Sequence, residues 1–225
     1  MSPFLARARA LLPVFLARLT ARRDSGPIDT VDGLAAFVST RAAFIAQKTL
    51  YGYMKTRMGT RYPTVFENDE MILSIDIAKL HIYAACLADL ALFAASRTRA
   101  GAAQAIPDEA CRALALACFR RGLADNAAPA AAVDAFSAAA VEAEFERRLA
   151  FWDWVDGPKG AEIFSESPAA LVRWAPIAPE LKQLDREIVE NSIKFKWREV
   201  RADLDRRLDA GAVAAEARRQ ALQPA

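Results

Sequence analysis

Residues 34–61 carry two interlocking rows of side chains, one apolar and one basic. The apolar row recurs at every seventh position: Phe37, Phe44, Tyr51 and Met58. The basic row follows four positions behind: Arg41, Lys48 and Lys55. Because seven residues make almost two helical turns, each row forms a stripe along one helix, and the offset of four places the stripes side by side. The pattern predicts a helix over residues 31–58 that ends at Gly59.

Residues 69–97 form the second strong pattern, in which apolar side chains surround the predicted helix on every side. A helix that is apolar all round lies at the centre of a protein. Asn68 or Asp69 supplies a cap for its first turn. The short connection over residues 59–68 predicts that the two long helices form an antiparallel hairpin, with the aromatic row as half of its interface.

Three more main helices are predicted from the same periodicity, over residues 108–123, 134–155 and 179–209. Short helices are expected within residues 159–174. The last main helix has two apolar tracks: Leu181, Leu184 and Ile188, and then Ile193, Trp197, Val200, Leu204 and Leu208. The spacing of the second track is typical of a coiled-coil seam and predicts a homodimer through this helix.

The amino-acid composition agrees with these patterns. The chain has 225 residues, of which 54% are hydrophobic and 26% are charged, and this balance suits a globular domain. Nine glycines among many Ala, Leu, Arg and Glu residues favour helix, and no run of alternating β-branched residues predicts a strand. We therefore predict an all-α protein, an irregular bundle of about five main helices around the central hairpin.

Breaks in the pattern divide the chain into three parts. Gly26 and Pro27 mark the end of an N-terminal segment, residues 1–26. Residues 27–210 are predicted to form the helical domain. The Ala-rich residues 211–225 are predicted to be a flexible C-terminal tail, since chain ends without a strong apolar pattern are usually poorly ordered.

The N-terminal segment is predicted to be a basic amphipathic helix over residues 3–23, interrupted at Pro13. Apolar side chains share one face and arginines flank it: Phe4, Leu5, Leu12, Phe15, Leu16 and Leu19, with Arg7 and Arg18. A helix of this type lies in the plane of a membrane surface, with its arginines near lipid phosphates. The same pattern also suits docking on a protein partner, packing on its own domain, or an organellar transit peptide.

The small net charge of +2 gives no reason to expect nucleic-acid binding. The three cysteines form no CxxC pair, which favours buried thiols in a reducing compartment over disulfides or a zinc site. The most apolar run, residues 80–95, is too short for a bilayer and contains His81 and Asp89. We predict a cytoplasmic protein that associates peripherally with the inner membrane face.

The main candidate binding site consists of aromatic and basic residues of the first long helix and the loop after it. We assign ligand or anion binding to one set: Arg41, Lys48, Tyr51, Tyr53, Lys55, Arg57 and Arg61. Cations along an aromatic face can hold a phosphate-bearing ligand, a lipid headgroup or an acidic partner helix. Gly52 would let another backbone approach closely. Alternatively, the cations border a buried face or pair with acids such as Glu67 and Asp69.

His81 is the one histidine of the chain and therefore the one candidate imidazole base. A hydrolase would need a serine beside it, but Ser74 lies about 10 Å along the same helix at a rise of 1.5 Å per residue. The sequence contains no G-x-S-x-G elbow, phosphate-binding loop or Glu-x-x-His pair. We therefore assign no catalytic residue, no metal and no cofactor.

These observations favour a non-enzymatic adaptor, scaffold or assembly subunit that binds a protein partner or a membrane surface. Two alternatives remain open: a small-molecule or lipid-binding protein that uses residues 37–61, and an esterase-like hydrolase that uses His81. The first alternative predicts a closed apolar pocket beside Phe44, Tyr51 and Tyr53. The second requires an imidazole that substrate can reach.

Overall fold

The computed structural model describes residues 26–126 and 135–221, and in this part every regular element is a helix. The elements follow in the order α1 (Val31–Met58), a 3-10 helix (Gly59–Glu67), α2 (Asp69–Gly101), α3 (Asp108–Asp125), α4 (Ala138–Ala150), a short 3-10 helix (Ala161–Ile163), α5 (Glu166–Trp174), α6 (Pro179–Arg207) and α7 (Ala210–Ala221). The prediction of an all-α bundle is confirmed.

The α1–α2 hairpin lies at the centre of the bundle, and local signals set its ends. The Thr30 side chain accepts a hydrogen bond from the Gly33 N–H at 3.1 Å, and the Asn68 side chain accepts one from the Met71 N–H at 2.9 Å. These bonds satisfy amide groups that have no partner inside a helix. Gly59 follows α1 with φ 53°, a left-handed value that favours glycine and ends the helix.

The aromatic row of α1 is only partly buried. The fully buried face of α1 is aliphatic: Leu34, Val38, Ala42, Ile45 and Leu50. Phe37 is buried, but Phe44 is 36% exposed, and Tyr51 and Met58 are only partly buried. Seven residues fall about 20° short of two full turns, so a strict seven-residue row drifts around a straight helix and away from the core.

Residues 210–221 form α7, in contrast to the flexible tail predicted from residue 211. α7 packs against α2 and α3 and buries Val213, Ala214 and Ala217. A β-carbon built on Gly101 would lie 2.8 Å from the β-carbon of Ala210, so the glycine lets the start of α7 approach the end of α2 closely. The small side chains that weakened the sequence pattern are what permit this close packing.

The fourth predicted helix is shorter than its apolar pattern suggested. The Ser137 side chain accepts a hydrogen bond from the Ala140 N–H at 3.2 Å, and α4 begins directly after this cap. After Ala150, the Asp153 side chain accepts hydrogen bonds from the Val155 and Asp156 amides, each at 2.9 Å. Such local bonds compete with the helical pattern, so the chain turns here and α5 forms further along.

Candidate interaction surface

α6 has two apolar faces, and the domain buries only one of them. The buried face contains Val189, Ile193, Trp197, Val200 and Leu204. This is essentially the second apolar track of the sequence, which therefore packs on its own domain. Its assignment as an intermolecular coiled-coil seam is wrong, because residues that are already buried cannot also face a partner.

The first apolar track of α6 points away from the domain. Leu184 is 77% exposed, Ile188 is 73% exposed and Phe195 is 63% exposed, with the less exposed Leu181 at the end of the same row. At 100° of rotation per residue, these side chains point in directions within about 60° of one another around the helix axis. They lie on the side of α6 opposite the buried face. We call Leu181, Leu184, Ile188 and Phe195 the outer row. It is the most exposed line of large apolar side chains in the part of the chain that the structure describes.

Two charged contacts hold α6 against α1. Arg41 Nη2 donates to Asp203 Oδ2 at 2.8 Å. Nearer the start of α6, the buried Asp185 carboxylate accepts a hydrogen bond from the Tyr53 hydroxyl at 2.9 Å and pairs with the Arg57 guanidinium. Burial raises the pKa of Tyr53, against the lowering effect of Arg57, so the phenol stays protonated as the donor. Because both acids lie on α6, they fix its orientation on the bundle.

A buried polar network ties α6 to α5 and α2. Trp197 Nε1 donates to Ser167 Oγ at 2.9 Å, and Ser167 Oγ donates to Asp89 Oδ2 at 2.7 Å. Asp89 also accepts the Ser167 N–H at 2.8 Å and the Glu166 N–H at 3.3 Å, so it caps the first turn of α5 from another helix. Arg148 Nη1 completes the network at 2.8 Å from Asp89.

Asp89 is completely buried, and its carboxyl group therefore needs all of these partners. Burial raises the pKa of Asp89, while Arg148 and the hydrogen bonds from Ser167 act in the opposite direction. The network connects four helices, α2, α4, α5 and α6, and encloses its charged groups, which is the arrangement of a structural anchor. A sequence signal for it existed, namely a single acid within the apolar run over residues 80–95.

The predicted ligand-binding residues of α1 do not meet at one place. Arg41 and Arg57 contact α6, about 24 Å apart along α1 at 1.5 Å per residue. Lys48 lies 5.0 Å from the centre of the Phe44 ring, and Tyr51 contacts Phe66. Tyr53 shares the Asp185 carboxylate with Arg57, whereas Lys55 and Arg61 are exposed to solvent.

The acids that pair with the α1 cations are on α6. The alternative partners Glu67 and Asp69 are close in sequence to these cations, but Arg41 pairs with Asp203 and Arg57 with Asp185. The candidate membrane-binding residues lie outside the described residues: Phe4, Leu5, Arg7, Leu12, Phe15, Leu16, Arg18 and Leu19.

Gly52 is not a point of close backbone approach, because nothing lies within 4 Å of a β-carbon built there. We expect Gly52→Ala to raise the free energy of unfolding by about 0.5–1 kcal/mol, since alanine loses less backbone entropy in a helix. Chemical denaturation measures this change. Gly122→Ala is the contrasting control: its β-carbon would lie 2.4 Å from Leu87, and this variant is expected to destabilise the protein. A destabilised Gly52→Ala protein would contradict the open surroundings of this position.

His81 belongs to an aromatic cluster between α2 and α5. Its ring stacks on Trp174 with 3.6 Å between centroids and 1° between planes, and Phe136 meets it edge-on at 5.3 Å. The Nε2 atom lies 3.0 Å from the Ala135 carbonyl oxygen, which can only accept, so Nε2 carries the proton. Ser74 Oγ donates to the Glu70 carbonyl and takes no part in this cluster.

The stability of the protein should depend on the protonation of His81. Burial lowers the pKa of His81 below its ordinary value, and Arg173 acts in the same direction, against the raising effect of the Ala135 carbonyl. Because the pKa of His81 is lower in the folded state, neutral His81 makes its full contribution to the free energy of unfolding above about pH 6.5. This contribution is lost as the pH falls through the folded-state pKa. We expect the wild type to lose more stability between about pH 7.5 and about pH 5 than His81→Phe, which keeps the ring stacked on Trp174. Denaturation at both pH values measures this difference, and equal losses would contradict it.

The three cysteines are buried and unpaired: Cys86, Cys111 and Cys118. Burial raises the pKa of all three thiols, that of Cys118 to about 12, so each is held in its less nucleophilic protonated form. Within residues 26–126 and 135–221, no group of three or more His, Cys, Asp or Glu side chains is arranged to hold a metal ion.

α2 is long and apolar enough to cross a bilayer when judged by length and composition alone. Its most apolar 18-residue window is 78% buried by other parts of the protein. The core helix of a soluble protein meets the same criterion, so this feature does not determine where the protein resides.

Comparison with known proteins adds no family assignment. No protein-family model matches the chain, and neither the curated proteins nor the solved structures contain a significant match.

Proposed function

We propose that this protein is a non-enzymatic assembly subunit or adaptor, and that the outer row of α6 is its protein-binding face. The supporting observation is the exposure of Leu184, Ile188 and Phe195 in one line on the side of α6 that does not pack on the domain. Single exposed apolar residues are common on protein surfaces, but an ordered row of large ones marks a binding site. A row along one helix suits a partner that also presents a helix.

The contacts that hold α6 on the domain support the same function. Its inner side is anchored at three levels, by Asp185, Trp197 and Asp203, so the outer row is presented on a fixed element. A rigid binding face loses little conformational entropy when the partner arrives. The anchors therefore favour recognition by a preformed surface.

The proposal predicts that assembly depends on the outer row. A Leu184→Lys/Ile188→Lys protein changes only exposed side chains and should fold normally. In cell extracts, tagged wild type should migrate in a larger complex that the double variant fails to enter. Phe151→Lys is the matched control, because Phe151 is 91% exposed but lies at the end of α4. An unchanged complex size for the double variant would overturn the assignment of this face.

We also propose that residues 3–23 attach the protein peripherally to the cytoplasmic face of a membrane. This rests on the sequence of the segment, with its large apolar residues and its arginines, because the segment lies outside the described residues. Vesicles with anionic lipids should carry the full chain upward in a flotation gradient, and a chain lacking residues 1–24 should remain below. Equal flotation of the two proteins would remove the membrane claim.

A further inference from the structure

We propose that the occupant of the outer row is a second copy of this chain, with the two α6 helices side by side and antiparallel. This inference rests on the proposed function and names the partner of that same surface.

The outer face of α6 has the spacing of a short heptad seam. Its members alternate by three and four residues: Leu181, Leu184, Ile188, Asn191, Phe195 and Arg198. All six are exposed in the structure. Alternating intervals of three and four keep a seam facing a partner helix along its whole length. The polar Asn191 and the long aliphatic stem of Arg198 interrupt the apolar positions without breaking the spacing.

One antiparallel register pairs the largest apolar side chains with each other. With the two-fold axis between Ile188 and Asn191, Leu184 lies opposite Phe195 of the second copy, and Phe195 lies opposite Leu184 of that copy. Ile188 then packs beside Asn191 of the second copy. A single polar residue in such a seam lowers affinity but penalises other registers. The arrangement is self-complementary, as a two-fold interface requires.

One acid beside the seam, Glu187, has a charged partner in this orientation only. In the antiparallel register Glu187 faces Lys194 of the second copy, and the symmetry repeats this attraction once more. A parallel pair would instead place Glu187 beside the neutral Ser192 and would keep an attraction between Lys194 and Glu199, so Glu187 is the residue whose charged partner depends on the orientation. Within its own helix Lys194 makes only a long contact of 4.0 Å, to Glu190, so its ammonium group can turn toward a partner.

Exchanging the charges of Glu187 and Lys194 by substitution in the purified full-length protein tests the register. Sedimentation equilibrium should show a reversible dimer in the wild type. Glu187→Lys alone and Lys194→Glu alone should each raise the dimer Kd roughly tenfold, because each replaces two attractions with two repulsions. The double exchange should restore the Kd to within about threefold of wild type. Arg186→Glu is the matched control, since Arg186 is an exposed residue of α6 outside this flank and should leave the Kd unchanged.

Each other outcome overturns a defined part of the proposal. A wild type that stays monomeric overturns self-association, while an outer-row-dependent complex in extracts would still support the adaptor function with a different partner. A dimer weakened by Lys194→Glu but not rescued by the double exchange overturns the antiparallel register. If the full chain is monomeric but a chain lacking residues 1–24 dimerises, the N-terminal segment occupies the outer row, and the second copy is not its partner.

Discussion

Replacing Asp89 with alanine is expected to lower the free energy of unfolding by about 3–5 kcal/mol, the usual cost of removing one partner from a buried charge pair. The change leaves the Arg148 guanidinium without its buried carboxylate. It also removes the acceptor for two amides at the start of α5 and for the Ser167 hydroxyl. Urea denaturation followed by circular dichroism measures the loss.

Two controls separate the buried charge from other effects of the Asp89 substitution. Asp89→Asn keeps the shape and one acceptor oxygen, so its loss should be intermediate. Asp205→Ala removes a carboxylate that pairs with Arg97 on the surface, where ion pairs contribute about 0–1 kcal/mol. If Asp89→Ala and Asp205→Ala cost the same, the network is not the anchor that its burial implies.

The α1–α2 hairpin could be predicted because local chemistry sets it. The Thr30 and Asn68 caps and Gly59 act within a few residues of themselves, and the apolar density of α2 requires a central position in any arrangement. The same reasoning predicted helix at α3 and α6. These helices could be predicted without knowing which residues meet across the fold.

The ion pairs could not be predicted, because nothing local selects their partners. Arg41 and Asp203 are 162 positions apart, and Tyr53 and Asp185 are 132 apart. Asp89 needed a cation once it was buried, but the chain has 30 lysines and arginines, and only the packed fold brings Arg148 to it. Sequence periodicity states which face of a helix is apolar and does not state which helix covers it.

The two tracks of α6 show why the predicted coiled-coil seam fell on the buried side of the helix. Both tracks have spacings of three and four residues, and the longer one, which contains Trp197, is the more typical of a seam. The domain needs that track for its own core, since Trp197 is among its largest fully buried side chains. A long track with a bulky aromatic residue packs into the core in preference to a shorter one, because it buries more apolar area. The shorter track stays exposed to solvent.

Replacing Asp185 with alanine is expected to cost about 2–3 kcal/mol and to loosen the start of α6. The carboxylate is buried and binds both the Tyr53 hydroxyl and the Arg57 guanidinium, so its removal leaves two donors of α1 without their acceptor. Around this point the first half of α6 makes few other buried contacts, since Leu181, Leu184 and Ile188 face outward.

Amide hydrogen exchange gives the sharper measurement of the Asp185 variant. Exchange should accelerate in the first half of α6 and remain nearly unchanged near Trp197, whose anchor is intact. Tyr53→Phe is the matched control: it removes one hydrogen bond, should cost about 0.5–1.5 kcal/mol, and should leave the Arg57 contact in place. Uniform acceleration along all of α6 would contradict local anchoring by Asp185. Because the outer row begins in this half of the helix, the same variant should weaken every interaction that needs Leu184 and Ile188 held in line.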